Sequence, residues 1–291
     1  MSSAPAPPEG TDVRALAEVA REVAEEAATM IVQRRPADLG VATTKSSLTD
    51  VVTVMDQASQ DLLRSLLGER RPQDAFAGEE EGGSAGTSGL TWVVDPIDGT
   101  VNYLYGLAAY AVSVAVVVGD PSRPGAWRPV AGAVVDPVAG RTYVAALGEG
   151  ATVSEGGGAP RPLRVAEAEG LGLALCATGF GYEADRRAWQ GQVLARLLPQ
   201  VRDIRRLGSA ALDLCRVADG TVDVYYERGL NPWDLAAGWL VATEAGAAVT
   251  DLDGGDPSSA MTLAGAPRTQ AALRSAVLEA VDVVGEEHDR S

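Results

Sequence analysis

Histidine is almost missing. The chain of 291 residues has one, His288, in a polar stretch near its end. A His–Ser or His–Cys catalytic pair cannot be built on such a position, and a histidine-rich zinc or iron site is excluded. There are two cysteines, Cys176 and Cys215, each inside an apolar segment and not in a metal-type spacing. They read as buried free thiols in a reducing compartment, which places the protein in the cytoplasm. Cations are scarce too: 24 Lys and Arg against 40 Asp and Glu, a formal net charge of −16. Free binding of nucleic acid needs a cationic footprint, and this balance argues against it. It suits cation binding, and equally an acidic surface that only keeps the protein soluble. No uninterrupted apolar run reaches the roughly 18 residues that span a bilayer, so no membrane association is expected. Residues 1–10, rich in Ala and Pro, lack a basic region followed by an apolar one and read as a disordered tail, not a signal peptide. Any metal must therefore be held by oxygen ligands, which points to Mg²⁺ or Mn²⁺.

What is present is enough for a large core: 46% of residues are hydrophobic, and the length allows one large or two coupled domains. Val13, Leu16, Ala20, Val23, Ala27 and Ile31 recur at helical spacing and predict a helix over 11–34, with Thr11 or Asp12 as N-cap. The stretch from Asp50 to Asp56 reads as a short extended or turn segment, followed by a helix over 56–68. Residues 75–77 read as a brief strand, and strands at 90–94, 110–118, 129–135 and 141–146 predict an antiparallel sheet. Residues 149–162 read as a loop and a boundary. Beyond it, strands at 171–177, 203–206, 222–226 and 247–251 alternate with helices at 185–199, 209–218, 234–245 and 267–284, as in a layered α/β arrangement. The expected organisation is an N-terminal α+β half over 11–162, a C-terminal α/β half over 163–285 and a polar tail over 286–291, in one catalytic unit.

The most informative segment is Asp95-Pro96-Ile97-Asp98-Gly99-Thr100, directly after an apolar strand. Pro96 fixes its own φ and restricts Asp95, so the turn is stiff. Gly99 lets the backbone approach a ligand. Two carboxylates with the Ile97 carbonyl between them, followed by free N–H groups and a hydroxyl, make a cradle for a divalent metal and a phosphate. Read alone, the segment is also an ordinary surface turn. Asp136-Pro137-Val138-Ala139-Gly140 is an internal control: it follows a strand but lacks the second Asp, and reads as a hairpin turn.

Other carboxylates end apolar elements in the same way. Glu79-Glu80 closes a strand, Glu227 follows Val222–Tyr226, and Asp56 and Asp234 open helices. Singly, each has a plain reading as a solvated loop or a helix cap. Lys45 reads singly as a solvated loop charge. Jointly, carboxylates from several separate elements are what a multi-metal phosphoryl site requires.

These residues resemble the inositol monophosphatases, within the wider group of Mg²⁺-dependent, Li⁺-sensitive sugar phosphatases. The resemblance runs from about Thr11 to Val283. It rests on Trp92 to Tyr103, on Trp233-Asp234-Leu235-Ala236-Ala237-Gly238 with Glu244-Ala245-Gly246, and on four shorter matches in the right order: Lys45-Ser46-Ser47 with Asp50 and Asp56, Gly78-Glu79-Glu80, Gly208-Ser209-Ala210-Ala211 and Tyr225-Tyr226-Glu227. It implies a five-layered αβαβα sandwich and a homodimer. It also implies hydrolysis of inositol 1-phosphate or a similar polyol phosphate by metal-activated water, with two or three Mg²⁺ ions. Glu80, Asp95 and the Ile97 carbonyl would hold the first ion; Asp95, Asp98 and Asp234 the second; a weaker third would lean on Glu80. Thr100, hydrogen-bonded to Asp56, would orient the attacking water. Gly99 and Thr100 N–H groups would bind phosphate, with Lys45 near its entry. Asp98, Ala210 (through its backbone), Glu227 and Asp234 would meet the sugar hydroxyls.

Val101 and Tyr103 depart from the family pattern, which often has a polar residue and Phe there. Related scaffolds hydrolyse histidinol phosphate, fructose 1,6-bisphosphate or 3′-phosphoadenosine 5′-phosphate, and some members bind the transcription machinery. Glu227 favours the inositol-type reading, because a carboxylate accepts from ring hydroxyls whereas a second phosphate would prefer cations.

Overall fold

The computed structural model describes residues 5–35 and 48–289, with the side chains of 48–53 and 286–289 outside the description. Lys45 lies outside the described residues.

The first helix, α1 (Val13–Gln33), starts at an Asp12 N-cap: its Oδ1 accepts from the N–H groups of Arg14 and Ala15 at 3.1 and 3.0 Å. Leu16, Ala20, Val23, Ala27 and Ile31 form its buried stripe. In α2 (Leu48–Arg70) the segment expected to be extended is helical, and Asp56 lies inside the helix instead of opening it. Val51-Val52-Thr53-Val54 is a β-branched run of low helix propensity. Packing overrides it, because Met55, Ser59, Leu63 and Leu67 are buried at helical spacing.

Seven strands then form a sheet in chain order: β1 (Ala75–Gly78), β2 (Leu90–Asp98), β3 (Ala111–Gly119), β4 (Trp127–Asp136), β5 (Arg141–Ala146), β6 (Gly150–Glu155) and β7 (Arg161–Pro162). All pairs are antiparallel except β1 with β2. The last two strands occupy the segment expected to be a loop. The turn from β5 into β6 is anchored from far away, with Glu244 accepting from the Gly148 and Gly150 N–H groups at 2.8 and 2.9 Å.

A second sheet has β8 (Leu175–Thr178), β9 (Asp203–Arg205), β10 (Val224–Glu227), β11 (Ala248–Thr250) and β12 (Thr262–Gly265), in the order β11-β12-β10-β8-β9. The sequence reading missed β12. It is only four residues long and fully buried, and it follows a turn-rich stretch. The remaining helices are α3 (Thr100–Tyr105), α4 (Ala184–Leu197), α5 (Ala210–Ala218), α6 (Pro232–Glu244) and α7 (Pro267–Asp289). The last runs past the expected end at 284, so the backbone of 286–289 is helical instead of a tail.

The layers follow from which faces are apolar. Along β2, Trp92 and Val94 pack under α1 and α2, while Val93 faces the other way, toward α5 and α6. Because α6 is covered from both sides, Leu235 to Ala242 are all buried. α4 and α7 cover the outer face of the second sheet. The order is α1/α2, first sheet, α5/α6, second sheet, α4/α7, the five-layered sandwich expected.

Candidate active site

The end of β2 carries the first two carboxylates. Residues 95 and 98 of a regular strand would face opposite ways. Here Asp95 pairs with Ser113 and Asp98 with Ala111, so three steps on β2 oppose two on β3. This extra residue is a bulge, and it turns both carboxylates to one side. Asp95 Oδ1 accepts from Ile97 N at 3.0 Å. The chain then turns at Gly99, with φ +95°, where a Cβ would stand 2.8 Å from Ala109 O and 3.0 Å from Gly208 O. Asn102 ties this turn to the start of α5, its Nδ2 donating to Ala109 O at 2.6 Å and Leu207 O at 2.7 Å. The Tyr103 departure has a local cause: its hydroxyl donates to Ile31 O of α1 at 2.8 Å.

The third carboxylate comes from α6. Pro232 opens the helix, and Asp234 reaches back to accept from Asn231 N at 2.7 Å. Asp95, Asp98 and Asp234 each present an oxygen within 4.8 Å of the others. They line a cavity of about 300 Å³ together with Glu79, Ile97, Gly99, Thr100, Ala210 and Glu227. A second cavity of about 300 Å³, lined by Pro121, Trp127, Trp233 and Leu235 among others, holds no carboxylate.

Burial and mutual repulsion push these acids up. Asp95 lies well above the ordinary carboxylate range, first through burial, then through Glu79, Asp98, Asp234 and Asp56. Burial raises Asp98 to about 6, opposed by hydrogen bonds from Ser209 and the Ala211 and Ala210 backbone. Asp234 is raised to about 8 by burial and by Asp98. Glu79 as a residue is exposed, but its carboxyl faces the cavity, where burial, Glu80 and Asp98 push it to about 7. Asp56 is buried behind the cluster and raised to about 8 by desolvation, Glu79 and Glu80; its Oδ1 has no hydrogen-bond partner. So many acids in one buried place are unfavourable unless a cation joins them. The donors are all oxygen, one buried oxygen is orphaned, and the set fits a hard divalent cation such as Mg²⁺.

Two expectations change. Glu79, not Glu80, lines the cavity. The parallel pairing of Gly78 with Val94, and the Glu79 N–H donated to Val94 O at 3.3 Å, put Glu79 level with Asp95. The Glu80 N–H instead donates to Gln60 Oε1 at 2.9 Å. The Thr100 hydroxyl donates to Ile97 O at 3.0 Å, not to Asp56.

Further along, Glu227 is raised to about 7 by burial and accepts from the Tyr225 hydroxyl at 2.7 Å. Its carboxylate lies against Gly179, where a Cβ would stand 2.0 Å from Glu227 Oε2. Sequence reasoning missed Ser209 as a partner of Asp98, and it missed Arg186 and Arg206, which also line the cavity. Ser209 carried a signal, the Ser N-cap of a helix within a recognised motif; the arginines carried none.

Layered sheets and helices around an acidic, all-oxygen centre define a metal-site class of protein, and comparison with known proteins narrows it. The profile described as the inositol monophosphatase family matches residues 12–282. A protein of Mycobacterium leprae named inositol-1-monophosphatase is 46% identical over 275 residues, covering 89% of this chain and 92% of that protein. A Pasteurella multocida protein named Nus factor SuhB is 37% identical over 230 residues, covering 78% of this chain and 82% of its own length. The solved structure of Mycobacterium tuberculosis SuhB superposes with a TM-score of 0.79 at 42% identity, over 93% of this chain and 98% of that one. The chain belongs to the inositol monophosphatase family.

Proposed function

We propose that the protein is a Mg²⁺-dependent phosphomonoesterase that hydrolyses inositol 1-phosphate, or a similar polyol phosphate, to the free polyol and phosphate. The observation that carries this reading is the convergence on one cavity of Asp95 and Asp98 from β2 with Asp234 from α6, 136 positions beyond Asp98. Asp95, Glu79 and the Ile97 carbonyl would hold one ion, and Asp95, Asp98 and Asp234 another; Glu79 takes the place first given to Glu80, including at a third, weaker site. Bound Mg²⁺ supplies charge that neutralises phosphate oxygens and acidifies a water.

The chain's own groups do the rest. The Thr100 proton is committed to Ile97 O, so its oxygen lone pairs remain to accept from a water and orient it. Asp56, buried behind that position and unpartnered at Oδ1, has an acceptor oxygen free for a hydrogen bond from a water. Gly99 and Thr100 line the cavity, and their N–H groups would donate to phosphate. Glu227, fixed by Tyr225, accepts from substrate hydroxyls beside Asp98, Asp234 and the Ala210 backbone. Lys45 is kept as a proposed neighbour of the phosphate entry. Resemblance to the family further supports a lithium-sensitive homodimer, the buried free thiols Cys176 and Cys215 support a cytoplasmic location, and the net charge of −16 speaks against nucleic-acid affinity.

The test is turnover of inositol 1-phosphate by purified protein. Activity that EDTA abolishes and Mg²⁺ restores supports the reading; turnover undiminished in excess EDTA contradicts it. The relative named as a Nus factor favours one other reading, a partner of the transcription machinery. Co-purification of the Asp98→Asn protein with RNA polymerase would support that role independently of catalysis.

A further inference from the structure

We infer that Gln60 is a positioning residue of the proposed metal site: its amide clamps the backbone of Glu80 and Glu81 to α2 and so keeps their neighbour Glu79 at the cavity. This rests on the part of the proposed function that gives Glu79 a cation, and it names the group that holds Glu79 in place.

The pairing of β1 with β2 ends at Gly78 and Val94. Glu79 stands one residue further on, and its N–H donates to Val94 O at 3.3 Å. That is longer than the usual N–H···O separation of about 2.9–3.0 Å, so β2 holds the end of the strand only loosely. On the opposite edge a side chain takes over as partner. Gln60 Oε1 accepts from Glu80 N at 2.9 Å, and its Nε2 donates to Glu80 O at 2.8 Å and to Glu81 O at 3.1 Å. One amide thus meets both backbone groups of Glu80, as a neighbouring strand would. Only a side chain with a donor and an acceptor side by side can do this; a carboxylate lacks the donor and a hydrocarbon lacks both.

The surroundings are shaped to this amide. Gln60 is fully buried, and a buried amide is tolerated when both of its ends are paired. Gly78 leaves it room: a Cβ there would stand 1.9 Å from Gln60 Oε1 and 2.5 Å from its Cδ. Arg64, one turn further along α2, donates from Nη2 to Glu81 O at 3.0 Å. The residue before Gln60 grips the other carboxylate-bearing segment, with the buried Ser59 Oγ donating to Pro96 O at 3.1 Å, between Asp95 and Asp98. Adjacent side chains of one helix therefore tie down both the Glu79 strand end and the Asp95–Asp98 turn. Strand pairing makes Glu79 level with Asp95, and Gln60 holds that register where the pairing stops.

A double-mutant cycle on Mg²⁺ affinity tests this, read by calorimetric titration of the metal-stripped full chain. Gln60→Met keeps the length and bulk of the side chain but removes its donors and acceptor. Gly78→Ala keeps Gln60 and pushes its amide off the backbone. Each should weaken Mg²⁺ binding by about 10- to 100-fold, the range for groups that orient a ligand. In a Glu79→Gln background each should cost only a few-fold, because the carboxylate they position is already gone, while Asp95, Asp98 and Asp234 still give a binding signal. In a Glu80→Gln background each should still cost the full factor. A purely structural role would lower stability equally in all three backgrounds and leave the affinity losses additive.

Thermal melting without Mg²⁺ checks that each variant is folded; if Gln60→Met is not, Gly78→Ala decides by the same comparison. Equal losses of affinity in the wild-type and Glu79→Gln backgrounds, or unchanged affinity in the folded variants, would refute the positioning role. A wild type that binds no Mg²⁺ removes the metal site and the role of Gln60 with it. A wild type that binds Mg²⁺ and shows the predicted coupling but hydrolyses no polyol phosphate supports the role of Gln60 while the phosphatase reading falls.

Discussion

Ser209 Oγ donates to Asp98 Oδ2 at 2.6 Å, across 111 positions of the chain. The same oxygen accepts from Ala211 N at 2.7 Å, and Ser209 Oγ itself accepts from Leu212 N at 3.3 Å as the N-cap of α5. One hydroxyl therefore caps a helix and fixes a carboxylate of the cluster. With Oδ2 held on α5, Oδ1 is the oxygen free to face a cation.

Ser209→Ala should weaken Mg²⁺ affinity or turnover by about 10- to 100-fold, the range for partners that orient a ligand. Loss of the cap should cost about 1 kcal/mol of stability. Ser209→Thr should recover most of both. Calorimetric metal titration separates the two effects; unchanged affinity in Ser209→Ala would contradict the orienting role.

Glu79 and Glu80 are adjacent and chemically alike, so comparing them tests the register of β1 against β2. Glu79→Gln should lower kcat/KM by more than about 100-fold, as expected when a group that holds the ion loses its charge. Glu80→Gln should change it by only a few-fold, through its longer-range repulsion of Asp56 and Glu79. The reverse order would restore the assignment first made from the sequence.

The carboxyls of the site carry a pH signature. Glu79 at about 7, Asp98 at about 6 and Asp234 at about 8 stand above the ordinary values of 4.5 for Glu and 3.8 for Asp. A raised acid binds protons more tightly in the folded protein than in the unfolded chain. Its contribution to stability is complete below the ordinary value and is lost as pH rises through the raised one. The metal-free protein should therefore melt at a lower temperature at pH 8.5 than at pH 6. Protons compete with cations for the same oxygens, so Mg²⁺ should raise the melting temperature more at pH 8.5 than at pH 6. Scanning calorimetry at both pH values, with and without Mg²⁺, measures this; equal shifts would contradict it.

Gly99→Ala should destabilise the protein by about 1–3 kcal/mol, because the residue sits at φ +95° and the new methyl would press on Ala109 O at 2.8 Å. Chemical denaturation reads the loss; a variant as stable as the wild type would mean that the turn relaxes freely.

Local signals carried much of the fold and part of the site. Asp95, Asp98 and Gly99 were legible because a stiff turn after an apolar strand writes its chemistry into neighbouring residues. α1 was legible because one face of it is buried and the spacing repeats. Glu79 could not be told from Glu80, since only pairing with β2 sets which one stands level with Asp95. Asp56 was placed at a helix start because β-branched residues precede it, while burial of Met55, Ser59 and Leu63 keeps that segment helical. β6 depends on Glu244, about a hundred residues away, to anchor its turn. Arg186 and Arg206 gave no sign, since an arginine near a loop looks the same whether it meets water or a cavity.

The most direct test of the whole account is a calorimetric titration of metal-stripped protein with Mg²⁺, run on the wild type and on Asp98→Asn. The account predicts saturable binding to the wild type and an affinity at least about tenfold weaker in Asp98→Asn, with both proteins folded. No binding to the wild type, or equal binding to both, would contradict a cation held by Asp95, Asp98 and Asp234.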